Sequence, residues 1–173
     1  MIPEGRSNTD FDLSSIVIKP LYFGLFINIL IPTVLLLVCY YIETHGSLHN
    51  QLGLEAGTYF YIFAGAAIVE AGVALWYRFK LLSRPMVRTI TSAEADIKEQ
   101  LSARLKPVFM MVAAISFWGV LFYALTGRFE SSLLFVVFSF IVFQFIRPRY
   151  GSVQKLIDKQ LAMAERGELL RQA

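Results

Sequence analysis

Four long runs of apolar residues dominate the chain, and short polar segments separate them. A helix needs about 20 apolar residues to cross a hydrocarbon layer of about 30 Å. The pattern therefore predicts an all-α integral membrane protein with four transmembrane helices, the last of them short. The predicted spans cover residues 17–42, 57–77, 107–126 and 132–146.

The connections between the runs predict how the spans pair. Gly127 and Arg128 form a turn signal between the third and fourth spans, which favours a tight helical hairpin. The first two spans are separated by a loop over 43–56, and sequential helices usually pack together. The predicted arrangement is a four-helix bundle made of two hairpins.

The two halves of the chain also share a weak repeat. Lys19-Pro20 stands at the start of the first span and Lys106-Pro107 at the start of the third. Duplication of one hairpin explains the match. The alternative is that Pro simply suits the first turn of a helix, where its missing N–H has no partner to lose.

Lys and Arg predict the orientation of the spans. The segment 78–106 holds seven of them and the chain after residue 146 holds six, whereas the loop 43–56 has none. Because basic segments stay in the cytoplasm, both termini are predicted inside. The predicted organisation is a cytoplasmic tail (1–16), a transmembrane domain (17–150) that includes the cytoplasmic loop 78–106, and a second cytoplasmic tail (151–173).

Two short amphipathic helices are predicted outside the bilayer. Thr91 and Glu94 have the spacing of a capping box, and the helix that follows is expected to continue into the third span. The second helix, in the tail, carries its apolar residues on one side from Val153 to Ala164. This tail helix can lie on the membrane, dock on a partner, or fold against the chain's own cytoplasmic loop.

Composition agrees with a membrane location. The chain has 173 residues, of which 56% are hydrophobic and 17% charged, and its mean hydropathy is +0.57. A soluble domain of this size cannot bury so much apolar surface, so the lipid bilayer is the expected partner. The net charge is +3, and the basic residues lie mostly beside the apolar runs, where anionic headgroups account for them. No nucleic-acid partner is therefore predicted. The acidic N-terminus lacks a signal-peptide pattern, so the first span is expected to be retained. For so compact a chain the expected location is the inner (plasma) membrane.

Glu70 is the main candidate for a polar site, because it is the one charged residue well inside a predicted span. A buried ionisable group costs at least about 2.5 kcal/mol on insertion scales, so something must compensate for it. Asn28 falls at nearly the same depth in the first span, which allows a hydrogen bond between the two. Glu70 is then either a proton- or cation-binding carboxylate or a hydrogen-bonding group that holds helices together.

Small residues surround Glu70 on the second span and predict a helix-packing stripe, because small side chains let another helix approach closely. The first span is the expected neighbour, with a second copy or another subunit as alternatives. The stripe consists of Ala64, Ala67, Ala71 and Ala74.

Catalytic and cofactor chemistry is not indicated. Cys39 is the single cysteine, no histidine lies inside a predicted span, and nucleotide-binding and nucleophile motifs are absent. His45 and His49 are four residues apart, but without a third ligand a solvated loop is the better interpretation than a metal site. The sequence therefore predicts no catalytic residue, no metal and no cofactor.

Two functions are compatible with this pattern. The first is a small non-catalytic membrane subunit or assembly factor of a larger inner-membrane complex, with other subunits or copies of itself as partners. The alternative is a small oligomeric transporter or channel that binds a proton or cation at Glu70. The scarcity of polar groups inside the spans favours the first.

Overall fold

The computed structural model of the chain describes residues 12–46 and 56–170, and these residues form helices without any strand. A 3-10 turn at Ile90–Ser92 precedes the third helix. The five helices are α1 (Leu13–His45), α2 (Ala56–Leu82), α3 (Ala93–Thr126), α4 (Phe129–Ile146) and α5 (Tyr150–Glu165).

The helices α1 to α4 are each long and apolar enough to cross a membrane. The prediction of an all-α chain with four such helices is therefore confirmed. The helix predicted after Thr91 was expected to continue into the third span, and this is also confirmed, because α3 runs unbroken for 34 residues. Pro20 and Pro107 consequently lie inside α1 and α3, and neither marks a helix start as the sequence pattern suggested.

The central element of the bundle is α3, which packs against α1, α2 and α4. Among the described residues, α1 and α2 make no extensive contact with each other, so the expected packing of the first span on the second is wrong. The connection between α3 and α4 is short: Gly127 ends α3 with φ of 67°, a conformation that favours glycine, and α4 begins two residues later.

Two glycines explain how closely α3 approaches its neighbours. A Cβ on Gly24 of α1 would lie 2.8 Å from the ring of Phe109, and a Cβ on Gly119 of α3 would lie 2.8 Å from the backbone oxygen of Ser132 in α4. Both distances are shorter than side chains tolerate. The helices therefore approach α3 at positions where only a hydrogen occupies the interface.

The helix starts differ in part from the prediction. Asp12 caps α1 by accepting a hydrogen bond from the Ser15 N–H at 3.2 Å. The capping box predicted at Thr91 and Glu94 does not form. The N-cap of α3 is Ser92, whose hydroxyl donates to Asp96, and the Glu94 carboxylate accepts the Asp12 N–H at 3.3 Å. Glu94 thereby joins the start of α3 to the start of α1.

The tail helix α5 folds against its own chain, the third of the three alternatives. Val153, Ile157, Gln160 and Ala164 form its buried face. Beyond the helix, the Leu170 N–H donates to the Val87 carbonyl at 2.8 Å. The first described residues, the segment after α2 and the tail thus meet at one end of the bundle.

Candidate functional site

The carboxylate of Glu70 lies at the interface between α2 and α3. It is partly buried, and its Oε2 accepts a hydrogen bond of 2.7 Å from the indole Nε1 of Trp118. The Trp118 ring is itself held by Phe63 of α2, with ring centroids 5.7 Å apart. The polar group of α2 is thus engaged by the central helix of the same chain.

Asn28 is buried at the contact between α1 and α3, with 3% of its surface exposed. Its Nδ2 donates to the carbonyl oxygens of Gly24, at 2.9 Å, and Phe109, at 3.3 Å. Because both acceptors face Nδ2, the orientation of the amide is fixed: a flipped amide would place Oδ1 against these carbonyl oxygens. The Oδ1 atom is left buried without a hydrogen-bond partner among the described residues.

Asn28 and Glu70 are therefore not brought together, contrary to the sequence prediction. Each bonds to α3, Asn28 at Phe109 and Glu70 at Trp118. Phe109 and Trp118 are nine positions apart in α3, which is about 13 Å along a helix. Counting from the ends of the predicted spans placed Asn28 and Glu70 at the same depth. In the structure α3 lies between the two side chains, and they contact it at different heights along its axis.

The small-residue stripe of α2 lies against the chain's own core. Ala67, Ala71 and Ala74 are buried, with Ala67 only 1% exposed, in a helix that packs on α3 and α4. Ala64 is half-buried and borders an apolar groove of about 160 Å³ between α2 and α4. The neighbour of the stripe is thus α3 and α4, not the first span.

For several residues that hold the helices together, no contact between helices was predicted from the sequence. The Ser139 hydroxyl of α4 donates to the Val112 carbonyl of α3 at 2.7 Å, and Trp118 supplies the donor for Glu70. Gly24 and Gly119 mark the closest approaches. Glycine and polar residues inside apolar runs were the available signal, but nothing in the chain order indicates which neighbour each one faces.

A further polar contact between helices lies near the turn that joins α3 and α4. The Tyr123 hydroxyl of α3 donates to Glu43 of α1 at 2.8 Å. His45 stacks on Tyr41, while His49 lies outside the described residues. Among the residues that the structure describes, no group of three potential ligands could hold a metal ion.

Three side chains form hydrogen bonds to the backbone of the last turn of α2 and of the segment that follows it. Arg104 of α3 donates to the carbonyls of Leu81, Arg84 and Pro85 at 2.6 to 2.9 Å. The other two side chains belong to α5 and to the first turn of α3. Gln160 accepts the Met86 N–H, and Asp96 accepts the Arg88 N–H, both at 2.8 Å.

These features define a multi-pass α-helical protein whose interior polar side chains mainly join its own helices and backbone. No family model, curated protein or solved structure matches the chain. The functional argument therefore depends on the geometry of this chain.

Proposed function

We propose that the protein is a non-catalytic subunit or accessory factor of a larger complex in the inner (plasma) membrane. The observation that carries the proposal is the hydrogen bond between Trp118 and Glu70. It gives the intramembrane carboxylate a structural partner within the chain. Because this hydrogen bond joins two helices, it accounts for a carboxylate inside the span without a transported ion.

Three further polar groups inside the spans support the same conclusion. The hydroxyls of Ser116 and Thr126 donate to carbonyls of their own helix, and Ser139 bonds across to α3. Such isolated bonds satisfy single groups and outline no continuous polar path. A transporter or channel that binds a proton or cation at Glu70 remains the alternative function, and it would need such a path.

The outer face of α2 supports association with another transmembrane helix. Gly65 and Gly72 lie two turns apart on this face and are exposed, and a Cβ added at either one would meet no other part of the protein within 4 Å. Val69, between them, is 65% exposed. A surface of this kind admits close packing of a second helix from a partner subunit or another copy, or contacts lipid.

The proposed topology has both termini in the cytoplasm. The hydrogen bonds that join Asp12 to Glu94 and Leu170 to Val87 support it, because they place both ends of the described chain on the side of the basic segment 78–106. Replacement of Cys39 followed by single cysteines at Thr44 and Thr91 tests it. An impermeant thiol reagent applied from outside should label position 44 and not position 91, and the reverse pattern would overturn the topology.

A photo-crosslinking amino acid at Val69 tests the function. In native membranes we expect adducts with a different membrane protein, and we expect Gly65→Leu with Gly72→Leu to abolish them. The matched control carries the crosslinker at Leu37, which is 60% exposed on α1. Adducts only between copies of this chain, together with Glu70-dependent ion flux in vesicles, would overturn the subunit proposal in favour of the transporter.

A further inference from the structure

A cavity of about 410 Å³ lies at the end of the bundle where the termini meet. It is formed by the last turns of α2, the part of α3 that precedes Pro107, and residues 148–159, which include most of α5. Its volume lies within the range of about 300–1,000 Å³ that is typical of ligand pockets. The side chains of its floor are apolar and include Leu82, Leu101, Leu105, Val153 and Leu156.

The rim of this cavity is cationic. Arg78, Lys155 and Lys159 line it, and none of its described lining residues is acidic. The Nε of Arg78 is buried without a hydrogen-bond partner among the described residues, and Arg149 is close enough to repel the Arg78 charge. An anion bound there would give this guanidinium nitrogen a hydrogen-bond partner and offset the repulsion from Arg149.

Neighbouring residues place the cavity at the level of lipid headgroups. Trp76 and Phe79 are exposed on the last turns of α2, with Phe79 at 77%, and Lys80 lies 4.7 Å above the Trp76 ring. Exposed aromatic residues beside basic ones are typical of a membrane interface. Ser152 in the first turn of α5 also lines the cavity, so the positive end of that helix dipole adds to the cationic rim.

We propose that this cavity binds the phosphate headgroup of an anionic phospholipid, with the cationic rim on the phosphate and the apolar floor against the start of the acyl chains. A basic pocket beside transmembrane helices has the chemistry for such a lipid. A soluble phosphate compound would satisfy the rim but would leave the apolar floor without a counterpart. The apolar floor therefore favours a lipid as the ligand.

The test measures binding of phosphatidylglycerol to the full-length protein in phosphatidylcholine–detergent micelles, by native mass spectrometry and by thermal unfolding. We expect saturable binding and a raised unfolding temperature. Lys155→Gln with Lys159→Gln changes only exposed positions of α5, so the fold should be retained. Binding should weaken about tenfold or more in this variant, since a hydrogen bond to a charged group contributes at least one such factor. Arg78→Gln should weaken it similarly.

The control removes basic residues at the same end of the bundle but outside the cavity: Lys19→Gln with Lys98→Gln. Unchanged phosphatidylglycerol affinity in this control supports a defined site. An equal loss in the control and the cavity variant would overturn the proposal, because the lipid would then respond only to net charge. Equal stabilisation by glycerol phosphate at the same concentration would overturn the lipid assignment in favour of a soluble phosphate ligand.

Discussion

The indole N–H of Trp118 donates a 2.7 Å hydrogen bond to the carboxylate of Glu70, and this bond connects α2 to the central helix. A carboxylate well inside a membrane helix is otherwise costly, so its neighbour determines whether the helix tolerates it. Because the donor is a large ring packed on Phe63, the contact combines polar and aromatic attachment at one point.

A double-mutant cycle measures this contact. Glu70→Leu and Trp118→Phe should each lower the free energy of unfolding in detergent, and the two effects should be less than additive. Hydrogen bonds between membrane helices contribute about 0.6 kcal/mol on average and up to about 1.7 kcal/mol, so the coupling energy should fall in that range. A coupling energy near zero would mean that the two side chains do not interact.

A second cycle pairs Asn28→Leu with Glu70→Leu. The two residues bond to positions about 13 Å apart along α3, so their effects should add within about 0.5 kcal/mol. The cycle is measured in the same detergent as the first one. A larger interaction energy would restore the direct Asn28–Glu70 contact that the sequence suggested.

Two substitutions of Glu70 should behave differently. Glu70→Gln keeps an oxygen acceptor of the same size for the Trp118 N–H, so the protein should insert and fold. Glu70→Lys replaces the acceptor with a second donor and a charge, and the protein should be unstable. Cellular half-life compares the two variants. Equally fast degradation of both would indicate that the negative charge, and not the hydrogen bond, is required.

Gly119 and Gly72 form a matched pair for testing helix approach. Gly119→Ala places a methyl group 2.8 Å from the Ser132 carbonyl oxygen, and the overpacking should cost about 1–3 kcal/mol. Gly72→Ala meets no other part of the protein within 4 Å and should be neutral or stabilising by up to about 1 kcal/mol. Unfolding in detergent by increasing sodium dodecyl sulfate compares them. A tolerated Gly119→Ala would argue against the close α3–α4 contact.

Gln160 and Gln154 provide a similar pair on α5. Gln160→Leu removes the acceptor of the buried Met86 N–H and should cost about 1–3 kcal/mol, with faster hydrogen exchange at the Met86 amide. Gln154 is exposed and bonds only along its own helix, so Gln154→Leu should stay within about 0.5 kcal/mol. Similar exchange rates in both variants would show that Gln160 does not hold this segment.

Much of the fold could be predicted from local pattern. Four apolar runs bounded by polar segments require helices of membrane-spanning length, because in lipid every backbone group must be bonded within its own segment. The continuity of α3 and the amphipathic α5 also followed from periodicity. Pro20 and Pro107 misled the assignment of helix starts, since proline is disfavoured inside helices but does not always end one in a membrane protein.

The sequence by itself determined the number of spans, their apolar character and the presence of one carboxylate among small residues. Only the tertiary structure decided that α3 lies between α1 and α2, and hence that Asn28 meets Phe109 while Glu70 meets Trp118. The physical reason is that all four helices are apolar around most of their circumference, so hydrophobicity gives no preferred neighbour. The choice is made by a few close contacts, such as those of Gly24 with Phe109 and of Glu70 with Trp118, between residues that are distant in the chain.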